Sequence, residues 1–479
     1  MNNSFRLFGF NGAAPVAILA AGTALLGGCQ KNENAGGTPQ AIEVSVQKNS
    51  FREVTSKLDA GGNLYAYLST EQWLDGLSGK VEGFREWFKD IPQMSESDRE
   101  GIDKVITVVS SLIKHCGIED ISGVGMSSIM REKGIYRSRF VVHHYPGRGS
   151  GFLWNICGDK SHSLQAMDWL PATTALAAYT DFDLSLLWAT IQKEAEVANI
   201  PDLTSALKEA PGQFESGTGL KLAEVLASLA NEYGLVLTLD DSNKISVPMG
   251  GQSKFSMPEP GILFAIKVNN DLIYNRVAEL LKENPSVIKT ETNGLKMMTM
   301  PVPIPVPINL RPSMARSGDY LLIASSDALI QEAVAVKAGK KPGLKSTDEF
   351  KRMSHDIPET GNEFAFMSER FGKTITDIQM QAIQVNGGNA SLTGLFQRFI
   401  NLSGPASGFS VAGNGPEGWV TTANGTRNPA NIILLPAVIV PAVAAGFIMP
   451  AVRRAEPITI PPPSGQKLGT RGNSSDGSR

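Results

Sequence analysis

Cysteine is nearly missing from this chain: three residues in 479, at positions 29, 116 and 157. A scaffold stapled by many disulfides is therefore excluded. Histidine is almost as scarce, with five residues. Charge is sparse as well, at 19% of residues, and the net charge of −3 comes from interspersed acids and bases. No basic stripe argues for nucleic acid. The chain has no phosphate loop, no dinucleotide fingerprint, no Gly-x-Ser-x-Gly elbow and no His-Glu-x-x-His pair, so no cofactor or catalytic residue is expected from motifs. Glycine (48) and proline (28) are plentiful, as in turn-rich chains with many strands. The length suffices for two or more cores.

Long apolar runs occur only near the two termini. Arg6 is the only charged side chain before Cys29, and residues from Ala13 to Leu26 are apolar or small. That length suits the apolar region of a signal peptide and is short for a membrane span. The run closes on Leu26-Gly27-Gly28-Cys29, followed by polar sequence. This closely resembles the lipobox of bacterial lipoproteins. The resemblance implies acylation of the Cys29 thiol and cleavage after Gly28, with residues 1–28 as the signal peptide and 29–49 as a linker. Near the other end, Ile432 to Val452 is uncharged over 21 residues and Arg453 and Arg454 follow. As a helix this stretch measures about 31 Å, close to the hydrocarbon thickness of a bilayer. It is expected to be a transmembrane helix, although Pro436, Pro441 and Pro450 would kink it. The Pro/Gly/Ser-rich tail, residues 453–479, is expected to be disordered.

Between these ends four segments share one pattern, beginning at Ala60, Pro171, Pro258 and Pro358. Each opens on turn residues, continues as a short apolar strand, and then turns polar before a helical stripe. Asp183 is placed to cap a helix buried through Leu187, Trp188 and Ile191. Asp271 is placed to cap one carrying Ile273, Val277, Leu280 and Leu281. Amphipathic helices are predicted in "REGIDKVITVVSSLIKHCG", "LKLAEVLASLANEYG" and "ASLTGLFQRFINLSG". In the first, Ile102, Val105, Ile106, Val109 and Ile113 mark the apolar face. Hairpins are predicted with turns at Asp240–Asn243 and at Asn414-Gly415. Prolines at 301, 303, 305 and 307 rule out a central strand there and predict an extended edge or crossover in polyproline geometry, serving as a rigid spacer. The expected fold is α+β: about four related units with antiparallel sheets and helices packed on one face. The units pair into lobes at 50–250 and 251–427. This arrangement is similar to an uncharacterised family of exported bacterial envelope proteins, which repeat strand–helix units and carry a "GDYLLIAS"-like strand before a helix, here Gly318 to Ser325.

Among candidate sites, Asp240-Asp241 reads as turn chemistry, and Glu71, Asp75 and Glu82 as solvated helix charges. Four of the five histidines (His115, His143, His144 and His162) fall within 48 residues, together with Cys116 and Cys157. Such groups suit zinc, though the spacing fits no closed zinc site, and solvated loop histidines are the ordinary alternative. In an oxidising compartment Cys116 and Cys157 could form one disulfide, or both could remain buried thiols. The expectation for the whole is a membrane-anchored envelope lipoprotein, its body outside the cytoplasm, serving as a non-enzymatic scaffold or interaction protein. Its partners would be the membrane and an envelope protein. A binder of hydrophobic ligands such as lipid is the alternative, and a metal-dependent enzyme a more distant one.

Overall fold

A computed structural model describes residues 49–89, 91, 94–197, 201–248, 254–292, 294–302, 310–385 and 406–428. Cys29 and its leader, the apolar stretch Ile432–Val452, the tail and the helix expected at Ala390–Gly404 lie outside the described residues. No helix among the described residues is long and apolar enough to cross a membrane.

The strands are β1 (Leu64–Ser69), β2 (Gly123–Glu132), β3 (Ile135–His143), β4 (His162–Ser163) and β5 (Thr174–Asp181). They continue as β6 (Leu229–Pro248), β7 (Lys254–Val268), β8 (Ile288–Thr292), β9 (Leu295–Thr299) and β10 (Ser313–Ser317). The last five are β11 (Tyr320–Ala324), β12 (Thr360–Gly361), β13 (Glu363–Met367), β14 (Gly408–Gly415) and β15 (Gly418–Gly425). Helices α1 (Phe51–Thr55), α2 (Glu71–Leu74), α3 (Leu77–Lys89), α4 (Glu96–Cys116), α5 (Phe152–Asn155) and α6 (Leu184–Val197) precede α7 (Pro201–Thr218) and α8 (Leu222–Ser228). They are followed by α9 (Leu272–Leu280), α10 (Asp327–Lys337), α11 (Asp348–Ser354) and α12 (Glu369–Val385).

Thirteen strands make one sheet, in the order β1-β2-β3-β15-β14-β13-β5-β6-β7-β11-β10-β9-β8, and β4 pairs with β12 separately. Every one of these pairings is antiparallel. The fold is thus α+β with a large antiparallel sheet. The four segments picked out by pattern supply β1, β5, β7 and β13, each followed by a helix. The border drawn between residues 250 and 251 falls between β6 and β7, which pair from Leu229↔Val268 to Pro248↔Lys254. All described residues belong to one compact unit.

Side chains alternate across a strand, so a register row shows what each face buries. Phe409, Phe366, Ala177, Val236, Leu263 and Ala324 are successive cross-strand neighbours. All six are buried in the main core, with Leu329, Ile330 and Ala333 of α10 and Phe350 and Met353 of α11 packed among them. The next residue along β11 or β9 faces the other way. Leu322 and Met297 belong to the main core, whereas Leu321 and Met298 pack with Val268 and with Tyr274 of α9. Helices therefore cover both faces, not one. The second face is covered only in part: α9 packs on Val268, Met298 and Leu321, while Leu235, Phe264 and Ile323 of the central strands stay exposed.

Local signals account for much of the rest. Ser95 caps α4 by accepting from the Asp98 N–H, and Gly117 ends it in the left-handed region at φ 87°, a conformation that costs glycine nothing. The apolar stripe expected on α4 is only half used. Ile106 is buried, but Val105 and Val109 are exposed, and Ser110 and Ser111 are buried beside it. Their hydroxyls donate to Glu82 on α3 at 2.8 Å and Glu194 on α6 at 2.5 Å, so Glu82 ties two helices together. Asp183 caps α6 through the Leu186 N–H at 2.9 Å, but Ile191, expected on the buried side of this helix, is exposed. Asp271 does not cap α9; its carboxylate accepts from Arg316 Nε at 2.7 Å.

Two expectations are corrected by long-range pairing. The helix predicted through Gly234 stops at Ser228, and β6 begins at Leu229 because its residues pair with β5 and β7. Asp240–Asn243 is a bulge inside β6, not a hairpin turn, since both flanks pair with β7. Asp240 steadies it by accepting from the N–H and hydroxyl of Ser242 at 3.0 and 2.6 Å. The ends of the proline-rich segment are extended edge, as expected. Met300 and Val302 donate to Pro312 and Leu310, prolonging the β9–β10 pairing, and positions 303–309 lie outside the described residues. The β14–β15 hairpin forms as expected, with Pro416-Glu417 in its loop.

Candidate functional site

The four histidines of the central cluster do not converge. His115 Nδ1 lies 2.8 Å from the buried Glu194 carboxylate and clamps α4 to α6. His143 is fully buried, with the Ser122 hydroxyl 2.6 Å from Nδ1. Burial lowers its pKa. His144 is buried edge-on against Trp154, with ring centroids 4.5 Å apart. His162 alone reaches an open cleft. Cys116 and Cys157 are free thiols. Cys116 faces its own helix end, 3.4 Å from the Ile113 carbonyl. Burial, aided by Glu363, pushes Cys157 up to about 11.

The cleft has a volume of about 480 Å³ and is lined by His162, Asp181, Asp183, Asn231, Glu232 and Lys267, among others. It arises where the main core ends. Asp181 closes β5, and its cross-strand neighbour on β6 is Glu232. Lys267 follows on β7, and its neighbour on β11 is Tyr320. Four adjacent strands thus present Asp, Glu, Lys and Tyr in one row. Apolar rows of the same face lie behind them. Glu232 takes this place because β6 bulges: Ala230, Asn231 and Glu232 oppose Lys267 alone. Asn231 carries the bulge at φ 59°, and asparagine is one of the few residues that enters this region readily. His162 arrives from a different element. It is held by the β4–β12 pairing, with Gly361 as its partner. Gly158 lets the chain pass close by, since a Cβ there would sit 2.7 Å from Asp181 Oδ2.

Two buried carboxylates directly opposite one another repel, and such a pair persists only with compensation. Three donors supply it. Tyr320 Oη donates to Glu232 Oε1, and Lys267 Nζ donates to Glu232 Oε2 at 3.2 Å. Asn362 Nδ2 donates to Asp181 Oδ2 at 3.0 Å. His162 completes the group. Its Nδ1 is 3.0 Å from the Ser163 carbonyl, which only accepts, so Nδ1 carries a proton. Its Nε2 is 2.8 and 3.0 Å from the two Asp181 oxygens. A lone pair facing a carboxylate at that distance needs a cation between them, either a second proton or a metal ion. Burial works against the imidazolium, but the Ser163 carbonyl and Asp181 outweigh it, and His162 is held above the usual histidine range. Burial also raises the Asp181 carboxyl, and burial together with Glu232 raises the Tyr320 phenol.

His162, Asp181 and Glu232 offer ligand atoms that all lie within 4.8 Å of one another. Sequence reasoning reached His162 but neither acid. One signal was present: Asp181 follows the apolar run Ala175–Tyr179 by two positions, and Glu232 precedes the apolar run Leu235–Leu237 by three. Comparison with family models, curated proteins and solved structures gives no match to this chain.

Proposed function

We propose that this chain is a membrane-held envelope protein that presents a rigid binding body outside the cytoplasm, as a scaffold or interaction module and not as a catalyst. Its location rests on the lipobox-like Leu26–Cys29 and on the apolar stretch Ile432–Val452 with its trailing arginines. The related-unit reading of the body rests on the strand–helix starts at Ala60, Pro171, Pro258 and Pro358.

The observation that carries the binding reading is the row of buried Asp181, Glu232 and Tyr320 with half-buried Lys267, opening on a cleft. A nucleophile beside it would favour catalysis. Cys157 is held protonated near neutral pH by burial and Glu363, which makes it a poor nucleophile. The Ser122–His143 pair is sealed inside the body, both residues being buried. Ser111 spends its hydroxyl on Glu194.

A second reading, a carrier of lipid acyl chains, is favoured by a different feature. Leu235, Phe264 and Ile323 are cross-strand neighbours on the face opposite the main core, and each is exposed. Lipid in an organic extract of the purified protein supports that reading, and its absence removes it.

Topology tests the primary reading. Protease added to spheroplasts should digest the body and spare a tag placed after Arg479, because Arg453 and Arg454 favour a cytoplasmic tail. A body that resists digestion until the cells are lysed contradicts it.

A further inference from the structure

The geometry points to a divalent transition-metal site, of the kind zinc occupies, formed by His162 Nε2 with one oxygen each of Asp181 and Glu232. It deepens the binding reading of the cleft by naming the class of ligand.

The donor set suits such an ion. Imidazole and carboxylate oxygen bind zinc at about 2.0–2.2 Å, so the edges of a tetrahedral site measure about 3.4 Å. The three ligand atoms already lie within 4.8 Å of one another, and His162 and Asp181 are 2.8 Å apart. Small side-chain rotations close one edge and open the other. Three protein ligands leave the fourth position on the cleft side, as in zinc sites that bind a water or an exogenous group.

Each ligand is also oriented from behind, as metal ligands are by their outer hydrogen bonds. The Ser163 carbonyl takes the Nδ1 proton of His162 at 3.0 Å and leaves Nε2 facing the acids. Asn362 holds Asp181, and Tyr320 holds Glu232. These partners come from β4, the residue before β13, and β11, so the site is assembled by the whole centre of the fold. Charge agrees. With His162 neutral, Asp181, Glu232 and Lys267 sum to one negative charge in a partly buried setting, which a divalent cation offsets. Lys267 is the competitor: its ammonium sits 3.2 Å from Glu232 Oε2 and must withdraw when the ion enters.

The competing account is a proton in place of the metal, with His162, Asp181 and Lys267 forming a self-contained ion-pair network. Equilibrium dialysis separates the two. Full-length protein in detergent, stripped with a chelator, is dialysed against zinc chloride at neutral pH, and bound zinc is measured by elemental analysis. One zinc per chain is expected. Asp181→Asn and His162→Ala should each weaken binding by at least about tenfold, with circular dichroism checking that they fold. Lys267→Met removes the competing cation and should tighten zinc binding, whereas in a self-contained network it only destabilises the fold. Cobalt(II) in the same protein should give the intense visible absorption of a four-coordinate ion, lost in Asp181→Asn. Folded wild-type protein that retains no zinc, or zinc that persists at unchanged affinity in both variants, overturns the proposal. Neither outcome bears on membrane topology, so this proposal and the location can fail separately.

Discussion

His143 shows how one residue couples burial to pH. The ring is fully buried, and Nε2 has no hydrogen-bond partner among the described residues. Glu417, Lys57, Glu53 and His144 face it. Burial depresses its pKa in the folded state, so the neutral ring contributes stability that is present above the unfolded value of about 6.5 and lost as pH falls through it. The urea midpoint should therefore drop between about pH 7 and pH 5. His143→Gln should flatten that drop, and an unchanged slope in the variant would show that other groups cause it. Histidines were conspicuous in the sequence by their crowding, yet the fold sends each to a different place. Residues 115, 143, 144 and 162 sit on a helix, a strand end, a loop and a two-residue strand. The partners of His162 were invisible. Asp181 and Glu232 are 51 positions apart, and only the β5–β6 register brings them together.

Elements were legible where local chemistry decides them. Asp183 before Leu186 reads as a cap and is one, and Ser326 caps α10 in the same way through the Leu329 N–H. The Tyr320–Ala324 strand before a helix stands where its pattern put it. Elements were illegible where pairing at long range overrides propensity. "LANEYG" continues a helical stripe, but Leu229 pairs with β7, Glu232 with β5, and Tyr233 and Gly234 with both. The strand tolerates this through its bulge at Asn231. That bulge makes a sharp prediction. At φ 59° a β-branched residue is strained by about 1–2 kcal/mol, whereas glycine is not. Asn231→Val should lower the stability measured by urea by about that amount relative to Asn231→Gly. Equal midpoints for the two variants would mean that the bulge relaxes when its residue changes. Zinc binding by Asn231→Val should weaken as well, since the bulge aims Glu232.

At the scale of the molecule, one antiparallel sheet joins segments that the sequence divided. β3 pairs with β15, and β13 with β5, so the first strands after Asn49 depend on the last before Asn428. Hydrophobic alternation reveals which face of a strand is buried, but not which strand lies beside it. The class α+β was therefore legible and the strand order was not. The sheet's outer strand β8 is exposed along its whole length and carries Lys289 and Glu291, charges that discourage pairing with another chain. At the opposite end β1 presents Tyr65 and Leu68, both exposed. Ser50, near the start of the described residues, meets this end at the Tyr67 hydroxyl, 3.3 Å away, and we propose that a lipid on Cys29 ties the body to a membrane. The most direct measurement is the intact mass and N-terminal fragment spectrum of the protein purified from its membrane fraction. The account predicts a chain that begins at Cys29, lacks residues 1–28 and carries acyl groups on that residue, with Cys29→Ser accumulating as an unprocessed precursor. A wild-type chain that retains its first residues, or begins at Cys29 without any added lipid mass, would contradict it.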